Sequence, residues 1–174
     1  SGLTRQIGGG NGWLDRIRRG KPILTGSLQV LRNFLYADDA APAFIGALEH
    51  EACVGRTYNM VGAKPHDWEA YYRAAMHALG QEVELVEIPL SLLGRMNVRA
   101  FPVDVALTQG LGRNSFYSNA KIARDIPEFI ETTSLQEGIA RCLKQLEERG
   151  LIPDSSLDED EDEVIEMLQR MTTA

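Results

Sequence analysis

The stretch from Leu31 to Leu48, LRNFLYADDAAPAFIGAL, constrains the fold more than any other part of the chain. Phe34-Leu35-Tyr36 is a short apolar, β-prone run and predicts a buried strand. Asp38-Asp39 ends it, and Asp39 sits where an N-cap carboxylate takes the free N–H groups of a following turn. Pro42 is tolerated there, because the amides of a first helical turn lack intrahelical partners anyway. Ala43, Phe44, Ala47 and Leu48 recur at helical spacing and predict one apolar stripe. A strand handed directly to a helix, with Arg32 at the strand's mouth, is the grammar of an α/β protein.

The rest of the chain continues that alternation. Ser1–Asn11 holds three consecutive glycines and almost no apolar residue, so it reads as a flexible N-terminal segment. Trp13, Leu14 and Ile17 predict a short helix, Ile23-Leu24 a short strand and Tyr58–Val61 another. Asp67 is placed to cap a helix over Trp68–Leu79 that Gly80 stops. Val83–Ile88 predicts a strand and Ser91–Phe101 a helix, while Pro102–Ser115 has no clear signal. Asn119 is expected to cap a short helix. Ser134 and Glu137 form a capping box that opens a helix with Leu135, Ile139, Leu143 and Leu146 on one face. Leu151–Ser156 reads as a linker, and the run Asp158–Glu163 as the solvated, acidic start of a terminal helix. The expected organisation is therefore a flexible 1–11, one domain over 12–150, and a linker with an acidic helix over 151–174.

The chain has 174 residues and a net charge of −7. That charge is unevenly placed. Residues 1–32 carry Arg5, Arg16, Arg18, Arg19, Lys21 and Arg32 against Asp15, a net of +5, which leaves −12 for the remainder. A chain acidic overall argues against a general nucleic-acid binder. No apolar run approaches the ~20 residues of a membrane span. Cys53 and Cys142 are isolated thiols without disulfide or metal spacing, as expected of small buried cysteines in a reducing cytoplasm. His50, His66 and His77 stand apart from acidic or cysteine partners, so no metal site is expected.

Five pieces, in order, resemble the second half of the extended short-chain dehydrogenases/reductases, the NAD-dependent epimerase/dehydratase family. Arg32 through Ala43 is similar to its "R-x-F-x-x-x-x-D-x-A-x-A" segment, and Gly55-Arg56-Thr57-Tyr58-Asn59-Met60 to its "G-x-x-Y-N-x" strand. Trp68-Glu69 with Ala78-Leu79-Gly80, then Val86-Glu87-Ile88-Pro89, resemble the next helix and strand. Ser118–Lys121 through Ser134–Ile139 resembles its C-terminal "N-S-K … L-x-E-G-I" signature. Together these span about residues 12–145.

The resemblance implies the C-terminal part of a Rossmann-like α/β fold: a few partly parallel strands covered by amphipathic helices. It implies a parent that uses NAD or NADP and acts on a nucleotide-linked sugar. The partners it implies are an N-terminal Rossmann half, the nucleotide sugar and, in some cases, a second copy. In sugar-nucleotide members the arginine at the place of Arg32 holds the substrate's diphosphate, which suits a guanidinium fork. By their place in the resemblance, Asn11, Arg113 and Tyr117 line the same cleft. Where many members carry a further phosphate-binding arginine, this chain has Gln109.

The parts that would hold and use the cofactor are not evident. Gly8-Gly9-Gly10-Asn11-Gly12-Trp13 fails the dinucleotide fingerprint G-x-G-x-x-G in either register. Gly20-Lys21-Pro22 fails as a phosphate loop. Tyr117 and Lys121 have the spacing of the family's catalytic pair, but their flanks match the "N-S-K" element downstream of it, so no catalytic residue is assigned. The chain alone is expected to bind no cofactor and to be inactive. Two other readings stand: a non-catalytic ligand- or RNA-binding module using the basic residues 5–32, and half of a split enzyme.

Overall fold

Local capping chemistry builds the two helices at the centre of the molecule. In the computed structural model, which describes residues 3, 5, 7, 10–96, 112–157 and 159–173, the Asp67 carboxylate accepts from Ala70 N at 2.8 Å. Gly80 ends that helix in the left-handed region at φ 68°, where a side chain would be strained. The Ser134 hydroxyl accepts from Glu137 N at 3.2 Å and opens the second helix. The Glu137 carboxylate accepts from Arg141. In chain order the elements are α1 (Gly12–Arg18), β1 (Ile23–Thr25), β2 (Leu31–Asn33), α2 (Ala37–Glu49), β3 (Pro65–Asp67), α3 (Trp68–Leu79), β4 (Leu85–Glu87), α4 (Leu90–Met96), α5 (Ala120–Asp125), α6 (Leu135–Glu148) and α7 (Glu159–Thr173).

α3 lies along α6, and the apolar faces of α1, α3 and α6 close over one core around Trp13, Ile17, Trp68, Tyr72, Ile139 and Leu143. Its aromatic rings meet edge to face, Trp13 on Tyr72 at 5.4 Å, or stacked, Phe34 on Tyr71 at 4.6 Å. Such pairs add about 0.5–1.5 kcal/mol beyond burial alone. Two small sheets flank this core. β1 pairs in parallel with β4 (Ile23 opposite Leu85), and β2 pairs antiparallel with β3 (Leu31 opposite Asp67). The α/β class with partly parallel strands holds.

Several local expectations shift. The strand predicted at Phe34–Tyr36 is at Leu31–Asn33 instead, because Phe34 turns onto the aromatic core. Asp39 does not cap its own helix. It is buried and takes four bonds from Thr132 and Thr133 (N–H and hydroxyl of each, 2.8–3.2 Å), tying α2 to the segment before α6. Asn119 precedes α5 without capping it; its side chain donates to the Val61 carbonyl at 3.2 Å. Tyr58–Val61 joins no sheet among the described residues. The α2 stripe is split: Ala43 is buried, whereas Phe44 and Leu48 are exposed. The predicted helix at 91–101 is seen at Leu90–Met96, and the remainder of that stretch, with Gln109, lies outside the described residues.

The largest revision concerns the two chain ends. The sequence predicts a flexible 1–11 segment and a solvated acidic run, yet Arg5, Ile7 and Glu161 are buried. Arg5 Nη1 donates to Glu161 Oε2 at 3.0 Å, and Arg5 Nη2 pairs with Glu161 Oε1 and donates to the Leu24 carbonyl at 2.9 Å. Glu161 Oε1 also accepts from Leu24 N at 2.7 Å. Fully buried Arg16 lies 3.5 Å from Glu161 and 2.6 Å from Asp162, which Lys21 also reaches at 2.6 Å. Burial works against the charge on Asp162, but the hydrogen bonds from Lys21 and Arg16 prevail and hold its carboxyl below the usual carboxylate range. Beneath this network Val164 and Ile165 of α7 pack on Leu24, Ile88 and Leu93.

Removing one member of a buried pair strands the other's charge, at a cost of about 3–5 kcal/mol. Glu161→Leu is therefore expected to lower the unfolding free energy by that amount in urea titration. Glu163→Gln, at an exposed position two residues on, should change it by less than about 0.5 kcal/mol.

Candidate substrate-binding face

The face begins with β2, too short to be stable alone and held from both sides. On one side it pairs with β3, Arg32 opposite His66. On the other, the segment 114–117 runs along it: Leu31 N donates to Asn114 Oδ1 at 2.8 Å and Ser115 N to the Leu31 carbonyl at 3.0 Å. Tyr117 N then donates to Asn33 Oδ1 at 2.7 Å, and Arg32 forms a parallel bridge with Ser115. Cross-strand partners project to the same side of a ribbon, so Arg32, His66 and Ser115 share one face. Tyr117 reaches back to that face, its phenolic oxygen 3.3 Å from Ser115 Oγ. Arg113 is exposed at the ribbon's entry.

Arg32 and Tyr117 are thus brought to one ribbon, and exposed Arg113 directly precedes its Asn114. Asn11 is not: it stands before α1 and donates to the Leu151 carbonyl at 3.2 Å. Lys121 also goes elsewhere, its ammonium donating to the Thr57 carbonyl at 2.8 Å and lying 4.8 Å from the centre of the Tyr58 ring. Tyr117 and Lys121 therefore have different partners despite their spacing.

Beside the ribbon opens a cavity of about 180 Å³ whose walls include Phe34, His66, Tyr71, Glu131, Ile139 and Cys142. Asp39 shapes its rim at a distance. By gripping Thr132 and Thr133 it fixes the run that carries Glu131 and Ser134 to the mouth. Burial opposes ionisation of Asp39, but the bonds from Thr133 and Thr132 outweigh it and hold the carboxyl low. Glu131 is held in turn by Ala63 N at 2.7 Å. A Cβ on the neighbouring Gly62 would strike the Phe34 carbonyl, so this crossing of chains tolerates only glycine.

His66, which belongs to both ribbon and cavity, was missed by reading the sequence. Its one signal was its place just before the cap Asp67. Burial, with Lys64 alongside, holds its imidazole below the ordinary value. Among the described residues no group of His, Cys, Asp and Glu is arranged to hold a metal ion, and no helix is long and apolar enough to cross a membrane.

The helix that follows the Gly10–Gly12 turn is short, and its start is occupied by other segments of the chain. α1 has only seven residues, its start is bridged to Leu151, and a Cβ on Gly12 would already touch Pro153. The basic residues 5–21 also fail to offer a cationic surface. Besides the buried pairs, Arg18 binds Glu147, and Arg19 binds Asp15 and Asp154.

No family model and no curated protein matches the sequence. Solved structures do match. UDP-glucose 4-epimerase from Thermotoga maritima, determined with UDP-glucose, superposes with a TM-score of 0.59 at 17% identity, over 79% of this chain and 38% of that one. UDP-glucuronic acid 4-epimerase from Bacillus cereus, in complex with NAD, gives 0.57 at 16% identity over 78% and 39%. RMD from Pseudomonas aeruginosa, complexed with NADPH, gives 0.56 at 16% over 79% and 40%. The chain has the fold of one part of these enzymes. It spans about two-fifths of their length.

The lowered His66 value sets a pH dependence. The unfolded chain takes up this proton near the ordinary 6.5, before the folded chain does. Acidification from there through the folded value therefore costs stability, and well above 6.5 the residue contributes nothing. His66→Gln should reduce the loss of urea midpoint between pH 7.5 and 5.5 relative to the unmodified chain.

Proposed function

We propose that this chain is the substrate-binding portion of an NAD(P)-dependent nucleotide-sugar epimerase/dehydratase-like oxidoreductase, inactive by itself. The observation that carries the reading is that Arg32 and Tyr117 share one ribbon, with Arg113 next to it in the chain, beside an aromatic cavity. It occurs on a fold shared with about two-fifths of the length of epimerases solved with UDP-glucose or with UDP-glucuronic acid and NAD. A guanidinium fork meets two phosphate oxygens at once, and a second cation nearby favours a diphosphate over a single phosphate. The cavity then takes a flat or ring-shaped part of the ligand, with His66 between the two subsites.

In this reading NAD or NADP arrives with an N-terminal Rossmann half, and this chain's task is to bind and orient. Two buried cysteines, Cys53 and Cys142, agree with a cytoplasmic setting. The RNA-binding alternative has no comparable support, since the cations it needs are paired with carboxylates of the same chain.

Calorimetric titration tests the assignment. UDP-glucose is expected to bind the isolated chain, with affinity falling at least tenfold in Arg32→Ala and unchanged in Lys121→Ala. NAD(H) is expected to give no binding heat; micromolar binding by this chain alone would contradict the division of labour.

A further inference from the structure

His66 stands where three parts of the molecule meet. Half-buried, it lines the aromatic cavity beside the ribbon. It also lines an open groove of about 650 Å³ on its other side, whose walls include Lys64, Arg73, His77 and Glu82. Across the ribbon it is the partner of Arg32, and Arg32 in turn bridges to Ser115. Cross-strand neighbours hold their Cβ atoms about 4.5–5.5 Å apart, so a hydroxyl, a guanidinium and an imidazole form one row. The first two bind an anion as they stand. A neutral imidazole has one N–H and one acceptor nitrogen, and becomes a cation only by taking a second proton.

The surroundings of the ring keep that proton off in the free chain. Burial disfavours the imidazolium most, and the Lys64 ammonium adds to it. Asp67 and Glu131 pull the other way without prevailing. Both are engaged elsewhere, the Asp67 carboxylate by Ala70 N at 2.8 Å and the Glu131 carboxylate by Ala63 N at 2.7 Å. On α3, Arg73 is paired with Glu69 and Glu82, and His77 is exposed. On β2, Arg32 places a further cation opposite the ring. A dianion seated on Arg32 reverses this balance. An opposite charge within about 4–6 Å moves a titrating group by roughly 1–3 pH units. That is enough to carry an imidazole held below its ordinary 6.5 back towards neutral pH.

We propose that His66 is the proton-taking residue of the substrate site: it accepts a proton from solvent as a diphosphate settles beside Arg32, so that binding and protonation are one event. This rests on the functional reading above. The device makes the site selective for ligands that bring the charge, because an uncharged sugar gains nothing from the imidazolium. It also fixes the sign of the pH dependence. The complex holds a proton that the free chain lacks. Affinity therefore rises as pH falls through the interval between the free and bound values, and levels off on either side. Both phosphates of UDP-glucose are linked on two sides and lack the ionisation near ~6 that a phosphate monoester has. Any proton taken up on binding thus belongs to the chain.

Titrating the chain with UDP-glucose at pH 6.5 in two buffers of different ionisation enthalpy counts the protons by calorimetry. About half a proton per ligand is expected, with affinity about threefold or more higher at pH 6 than at pH 8. His66→Gln should abolish the uptake and flatten the pH profile, whereas His77→Gln should do neither. The unmodified chain supplies a second readout: followed by NMR, the His66 ring should titrate at higher pH with UDP-glucose bound than without it. Binding with no proton uptake, uptake that survives His66→Gln, or a ring titration that the ligand does not move overturns the proposal and leaves the functional reading standing. Failure of UDP-glucose to bind at any of these pH values removes both.

Discussion

The fold depends on a buried carboxylate doing the work of a peptide group. On one edge β1 pairs with β4, using Ile23 N and the Thr25 carbonyl. On its other edge the N–H and C=O of Leu24 meet no strand. They meet Glu161 and Arg5. A carboxylate that accepts and a guanidinium that donates thus finish the edge as a neighbouring strand would, and α7 closes over it. Unpaired edges invite association with other chains, and here the guard is ionic and fully enclosed.

That device accounts for the charge distribution. The excess of +5 at the start and the acidic run near the end are two halves of one network, with Arg5, Arg16 and Lys21 meeting Glu161 and Asp162. Charge counting located both halves but not their meeting, because nothing local signals a contact across the whole chain. The same limit explains Asp39. Its position before an apolar helix is that of a cap, while its actual partners, Thr132 and Thr133, lie in a distant segment.

What could be read directly was chemistry that closes within a few residues. Asp67 and Gly80 bound α3, and Ser134 opens α6, because a cap needs only its own turn. α2 misled for the opposite reason: with apolar residues on every side, periodicity cannot say which faces inward. For the site, the meeting of Arg32 and Tyr117 follows no periodicity, and only the family resemblance proposed it. His66 entered through strand register, which no local pattern displays.

The tie between Arg5 and Glu161 spans 156 positions, and a contact so distant must await synthesis of nearly everything between its ends. A ribosome adding roughly 5–20 residues per second builds β1 well before α7. Over that interval the Leu24 edge and the apolar surface beneath α7 therefore have no native cover. The nascent polypeptide's window of vulnerability to mispairing closes only as α7 emerges.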